Sequence, residues 1–145
     1  DKVLEQSREN PVFYVQYAHA RVASVLRKAA EAGIAVDDAT LQGTDLSKLD
    51  HEAELRVLQK LGEWPRLVET AARANEPHRI AFYLYELAGE LHGLWNRGND
   101  VAALRFIQED DPETSQAKIA LARSTAIVIA AGLGILGVTP AQEMR

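Results

Sequence analysis

N-P-V-F-Y-V-Q-Y-A-H-A-R, residues 10 to 21, combines a helix start with two helical stripes of different character. Asn10 offers a side-chain oxygen to the unpaired N–H groups of a first turn, and Pro11 suits the first helical position, where no N–H is required. At about 3.6 residues per turn, Val15, Ala18, Val22, Val25 and Leu26 share one side and read as core, while Tyr14, Tyr17, Arg21, Ser24 and Lys28 form a second stripe. Two phenol rings and two cations at that spacing suit stacking on an unpaired base while neutralising phosphate. They equally suit a Tyr-edged helix packing on another domain, because aromatic residues near a core and surface cations are both ordinary.

Proline punctuation extends the helical reading along the chain. Pro11, Pro65, Pro77 and Pro112 each precede an apolar-periodic segment, and Pro140 follows the Leu136-Gly137 exit of the last. The first helix is expected to end near Gly33. Residues 34–50 hold Gly, Asp, Thr and Ser without sustained periodicity and read as an acidic surface loop. Asp50 is then the expected N-cap of a helix whose apolar side is Leu55, Val57, Leu58 and Leu61, ending between Gly62 and Trp64. A short helix follows from Pro65 to about Ala74, and a longer one from Pro77 with Ile80, Leu84, Leu87, Leu91 and Leu94 facing the core. A Gly98-Asn99-Asp100 turn is expected to interrupt the pattern before Pro112 opens a central helix, apolar nearly all round from Ala126. With no repeat and no strand-like alternation, the expectation is an all-α helical bundle of about five principal helices.

The chain has 145 residues, 47% of them hydrophobic, enough for one domain with a core. It opens on Asp1 rather than Met and shows no secretory pattern, so residues 1–145 are expected to be a single-domain fragment of a longer chain. No cysteine is present, which excludes disulfides and thiolate chemistry and fits a cytoplasmic protein. The strongly apolar stretch Ala126 to Val138 is shorter than the roughly 20 residues that cross a bilayer and reads as a buried helix. The net charge of -5 is unusual for a nucleic-acid binder, but residues 29–55 alone carry -6, leaving the remainder at +1. Any RNA recognition should therefore be local and modest.

Catalytic chemistry is not expected. There is no P-loop, dinucleotide glycine pattern or nucleophile elbow, and Gly132-Leu133-Gly134 inside an apolar helix reads as a site of close helix packing. Glu109, Asp110, Asp111 and Glu113 read as a solvated run rather than an acid and base pair. His19, His51, His78 and His92 lie on separate segments, so no metal site is expected. His19 is expected to pack or hydrogen-bond at the edge of the Tyr17 stripe, and His92 to fall on the side of its helix away from Leu87 and Leu91.

The opening block closely resembles the start of the C-terminal anticodon-binding domain, of DALR type, of arginyl-tRNA synthetases. Glu76-Pro77-His78-Arg79 with Tyr83 and Tyr85 resembles a second family segment, and Leu136-Gly137-Val138 with Met144 resembles its terminus. The likeness covers roughly residues 1–30 and 56–144. It implies an anticodon-binding domain of a class I synthetase that recognises the anticodon loop of arginine tRNA, its central cytosine above all, and lies beside the catalytic domain of the same enzyme. The parent would be an arginine–tRNA ligase using ATP with magnesium. The class I H-I-G-H and K-M-S-K-S strings are absent, so this segment is expected to be inactive alone, with no cofactor, DNA or membrane partner. The resemblance assigns tRNA contact first to Tyr17 and Arg21, then to Trp95 and Met144, with Tyr14 and Lys28 extending the same helix face. Trp95 stands where the family commonly has Tyr, and Arg145 follows the methionine. The rival reading is a helical protein-interaction module that docks through its Tyr-rich face without touching RNA.

Overall fold

Asn10 begins the first helix as the sequence predicts: its side-chain oxygen accepts the N–H groups of Val12 at 3.0 Å and Phe13 at 3.4 Å. The computed structural model describes residues 10–144, so Arg145 lies outside the described residues. Six helices follow in order: α1 (Pro11–Glu31), α2 (Asp38–Gln42), α3 (Glu52–Gly62), α4 (Trp64–Ala74), α5 (His78–Asp100) and α6 (Pro112–Ile135). Short 3-10 turns occur at Leu46–Lys48 and Ala102–Leu104, and no strand occurs among the described residues. The chain is all-α, with five principal helices and the short α2. Gly33 and Gly137, both at positive φ, close α1 and α6. In each case the next N–H reaches back into the helix, Ile34 to Ala29 and Val138 to Leu133, the form that a left-handed cap requires.

Helix α6 packs on α1, α2, α3 and α5, which makes it central as expected. By length and composition it could cross a membrane, with a mean hydropathy of 1.6, but more than half of that window is buried inside the bundle. Its buried run from Ala117 to Ala122 includes Lys118, whose Nζ donates to Glu54 Oε2 of α3 at 2.7 Å. Tyr83 of α5 donates its hydroxyl to the Lys60 carbonyl at 2.5 Å, joining α5 to α3, and burial first, then Glu63, holds the phenol proton on.

Four expectations need correction. His51, not Asp50, caps α3: its Nδ1 accepts the Ala53 N–H at 3.0 Å while Glu54 accepts the His51 N–H, a reciprocal capping box. Leu55 lies outside the buried side of α3, at 45% exposed. The segment read as an acidic loop holds α2 and a 3-10 turn, because Asp37 accepts the Thr40 N–H and Asp45 the Ser47 N–H. The Thr40 hydroxyl, then its N–H, depresses the Asp37 carboxyl below the usual range, as the Ser47 N–H does for Asp45 and the Arg123 guanidinium for Asp38, and buried Leu41 and Leu49 anchor the segment. Finally, α5 does not break at Gly98. That glycine is buried against Arg105, whose Nε donates to the Gly98 carbonyl at 2.8 Å.

The two glycines of α6 play different parts. A Cβ on Gly132 would stand 2.7 Å from both terminal methyls of Leu84, itself fully buried, whereas one on Gly134 would meet nothing within 4 Å. Gly132→Ala is expected to lose about 1–3 kcal/mol by overpacking, and Gly134→Ala to gain about 0.5–1 kcal/mol from helix propensity. Urea denaturation midpoints of the two variants check this, and equal shifts would contradict the assignment.

Candidate nucleic-acid interface

Gln16 and His19, one helical turn apart on α1, bind the segment that follows α6. Gln16 donates to the Thr139 carbonyl at 2.8 Å and accepts the Ala141 N–H at 2.6 Å. His19 Nδ1 pairs with the Ala141 carbonyl at 2.6 Å, which fixes its proton on that nitrogen. This latch folds the tail back along α1 and brings Met144 beside residues more than a hundred positions earlier. The edge role expected of His19 is thereby met.

The result is a cleft of about 530 Å³ whose walls include Tyr17, Arg21, Ser24, Arg27, Lys28, Trp95 and Met144. All four residues that the resemblance singles out therefore converge, together with Lys28 of the same helix face. Among the described residues, the lining carries the cations Arg21, Arg27 and Lys28 and the carboxylate Glu143, so this wall is cationic although the whole chain is acidic. Arg27 and Lys28 form no ion pair among the described residues. A smaller apolar hollow of about 200 Å³ adjoins it, sharing Lys28 and Trp95.

Arg21 is the centre of this arrangement. Its guanidinium carbon lies 5.0 Å from the Tyr17 ring centre and 4.9 Å from that of Trp95, so one planar cation touches both aromatic walls. Trp95 is half-buried and stacked on Phe106 at 6.1 Å, joining the site to the core. Tyr17 keeps 40% of its surface exposed. Planar groups, an Arg fork and unpaired cations are the chemistry that holds splayed bases and their phosphates.

Tyr14 is the exception. It does not line the cleft; its ring packs 4.9 Å from Tyr85 and 4.6 Å from His92, between α1 and α5. Positions 14 and 17 lie about 60° apart around the helix, which turns the first ring onto α5. His92 also departs from expectation. It is 7% exposed, and its Nδ1 accepts from Arg21 Nη1 at 2.9 Å. No metal-binding cluster of His, Cys, Asp or Glu occurs among the described residues.

Comparison with known proteins is decisive for the family: residues 15–144 match the DALR anticodon binding domain. The chain belongs to that family. Along its whole length it is 78% identical to an arginine–tRNA ligase of Roseobacter denitrificans and 77% identical to one of Ruegeria pomeroyi, covering 25% of each. The chain thus spans about a quarter of the length of these curated relatives. A solved protein from Campylobacter jejuni, described as an arginyl-tRNA synthetase, shares the fold with a TM-score of 0.78 at 23% identity, over 99% of this chain and 28% of that one. Within the DALR domain, Arg27 and the Gln16 latch escaped the sequence reading. The block that contains Gln16 was visible, but its partner segment has no helical period to signal it.

Proposed function

We propose that this DALR domain recognises the anticodon loop of arginine tRNA for a parent arginine–tRNA ligase, which would join arginine to the tRNA with ATP and magnesium in the cytoplasm. The observation that carries the reading is the convergence of Tyr17, Arg21, Trp95 and Met144 on one cationic cleft, from three separate parts of the chain. Unpaired anticodon bases would lie against the aromatic and methionine walls. Arg21 would address a base edge, and Arg27 and Lys28 the backbone, each stacking contact contributing about 1–3 kcal/mol. The central cytosine is the proposed chief determinant. The catalytic domain of the same enzyme is the proposed protein neighbour; the exposed Phe82 and Tyr85 of α5 support such a docking face away from the cleft.

Titration with an arginine-tRNA anticodon stem-loop and a central-base variant, at low and physiological salt, tests this. The expected result is preference for the central cytosine and an affinity that falls steeply with salt. Equal binding of the two stem-loops, or binding insensitive to salt, would point instead to the docking module.

A further inference from the structure

The tail that follows α6 is held at three backbone groups by two side chains of α1. The Gln16 amide donates to the Thr139 carbonyl and accepts the Ala141 N–H, and His19 Nδ1 donates to the Ala141 carbonyl, so both backbone groups of Ala141 are engaged. Between these points Pro140 has no N–H to satisfy, fixes its own φ and disfavours the helical region at Thr139. These bonds address the backbone alone, so they fix residues 139–141 whatever side chains the tail carries there. Met144, the chain's one methionine, stands three residues beyond Ala141 in the lining of the cleft.

We propose that Gln16 and His19 are positioning residues for anticodon recognition: by clamping the tail backbone they place Met144 at the cleft before RNA arrives. This rests on the anticodon reading. The cap of α6 ends its hold at Val138, whose N–H reaches the Leu133 carbonyl. Met144 lies six residues beyond Val138 but only three beyond Ala141. At about 3.4 Å per extended residue, it can range roughly 20 Å from the first anchor and roughly 10 Å from the second. The volume within reach grows as the cube of that distance, so the clamp raises the local concentration of the Met144 side chain by up to about eightfold. Glu143, which makes an interaction of its own, makes that figure a ceiling for the latch. The clamp acts on the place of an apolar wall and leaves the cations Arg21, Arg27 and Lys28 where they are.

The test uses the 145-residue chain with Gln16→Leu, which removes both amide groups, and with His19→Phe against His19→Asn, whose amide nitrogen can replace Nδ1 as donor. Glu143 is kept in every variant. Without RNA, the readouts are hydrogen exchange of the Ala141 amide and the methyl signal of Met144, which no other methionine overlaps. Gln16→Leu is expected to speed that exchange about tenfold, as for the loss of a hydrogen bond, and to move the methyl signal toward that of a free methionine. With the anticodon stem-loop, Gln16→Leu should weaken binding about three- to eightfold, keep the unaltered salt slope, and cost nothing further in a Met144→Ala background. His19→Phe should act in the same direction and His19→Asn restore most of the loss. A role limited to stability would lower the denaturation midpoint and leave the Met144 signal in place. That result, or losses that add in the double variant, would overturn the proposal. If the signals move as expected while the unaltered chain fails to discriminate the two stem-loops, it is the anticodon reading that fails, and the positioning role with it.

Discussion

Lys118→Ala is expected to remove about 3–5 kcal/mol of unfolding free energy, because it strands a buried carboxylate. Lys118 and Glu54 are each 3% exposed at the side chain, with Nζ and Oε2 2.7 Å apart. Taking two charges out of water costs several kcal/mol per ion, offset only while both are present. Glu54 is doubly committed, since Oε1 accepts the His51 N–H at 3.3 Å in the cap of α3. The pair therefore joins the start of α3 to the second turn of α6. Against a typical total of about 5–15 kcal/mol, its loss should bring the chain close to unfolding at body temperature. The double variant Lys118→Met with Glu54→Leu removes both charges and should lose only about 1–2 kcal/mol, mainly the cap. Guanidinium denaturation of both variants checks the contrast. A Lys118→Ala loss below about 1 kcal/mol would mean that water reaches Glu54 and that the bridge behaves as a surface pair.

What could be read from the sequence followed from how local each signal is. The caps at Asn10 and Gly33 and the prolines at the starts of α4, α5 and α6 depend on neighbours within a turn, so the helices are legible. Asp50 and His51 compete for one cap, and the winner depends on where Glu54 points, which Lys118 on α6 helps decide. Gly98 resembles a turn residue but serves as a packing surface for Arg105, a contact made only once the chain has folded back. His92 is buried although it lies off the apolar stripe of Leu87 and Leu91, because that stripe is only part of the buried face of α5. Helix α5 packs on α1, α3, α4 and α6, so a position about 100° from Leu91 is still inside. The site divides in the same way. Tyr17 and Arg21 are neighbours on one helix, whereas Trp95 and Met144 were tied to them by family resemblance, since no periodicity connects residues so far apart. The latch of Gln16 and His19 supplies the physical connection for Met144.

Arg21→Lys is expected to bind the anticodon stem-loop about 10–100-fold more weakly than the unaltered chain, nearly as weakly as Arg21→Ala, although it keeps the charge. The anticodon reading gives Arg21 two tasks that differ in chemistry. Neutralising phosphate needs only a positive charge near the strand, and an ammonium does that. Lying between Tyr17 and Trp95 while bonded to His92 and to a base edge needs a planar fork with several N–H groups in fixed directions. A lysine ammonium is compact and strongly hydrated, cannot stack between two rings, and cannot reach His92 and a base at the same time. The salt dependence separates these tasks: Arg21→Lys should keep the unaltered slope of affinity against salt, and Arg21→Ala should lower it by about one unit. Preference for the central base should fall in both. Were Arg21→Lys to retain affinity and base preference together, Arg21 would be a counter-charge alone, and selection would have to reside in Tyr17, Trp95 and Met144.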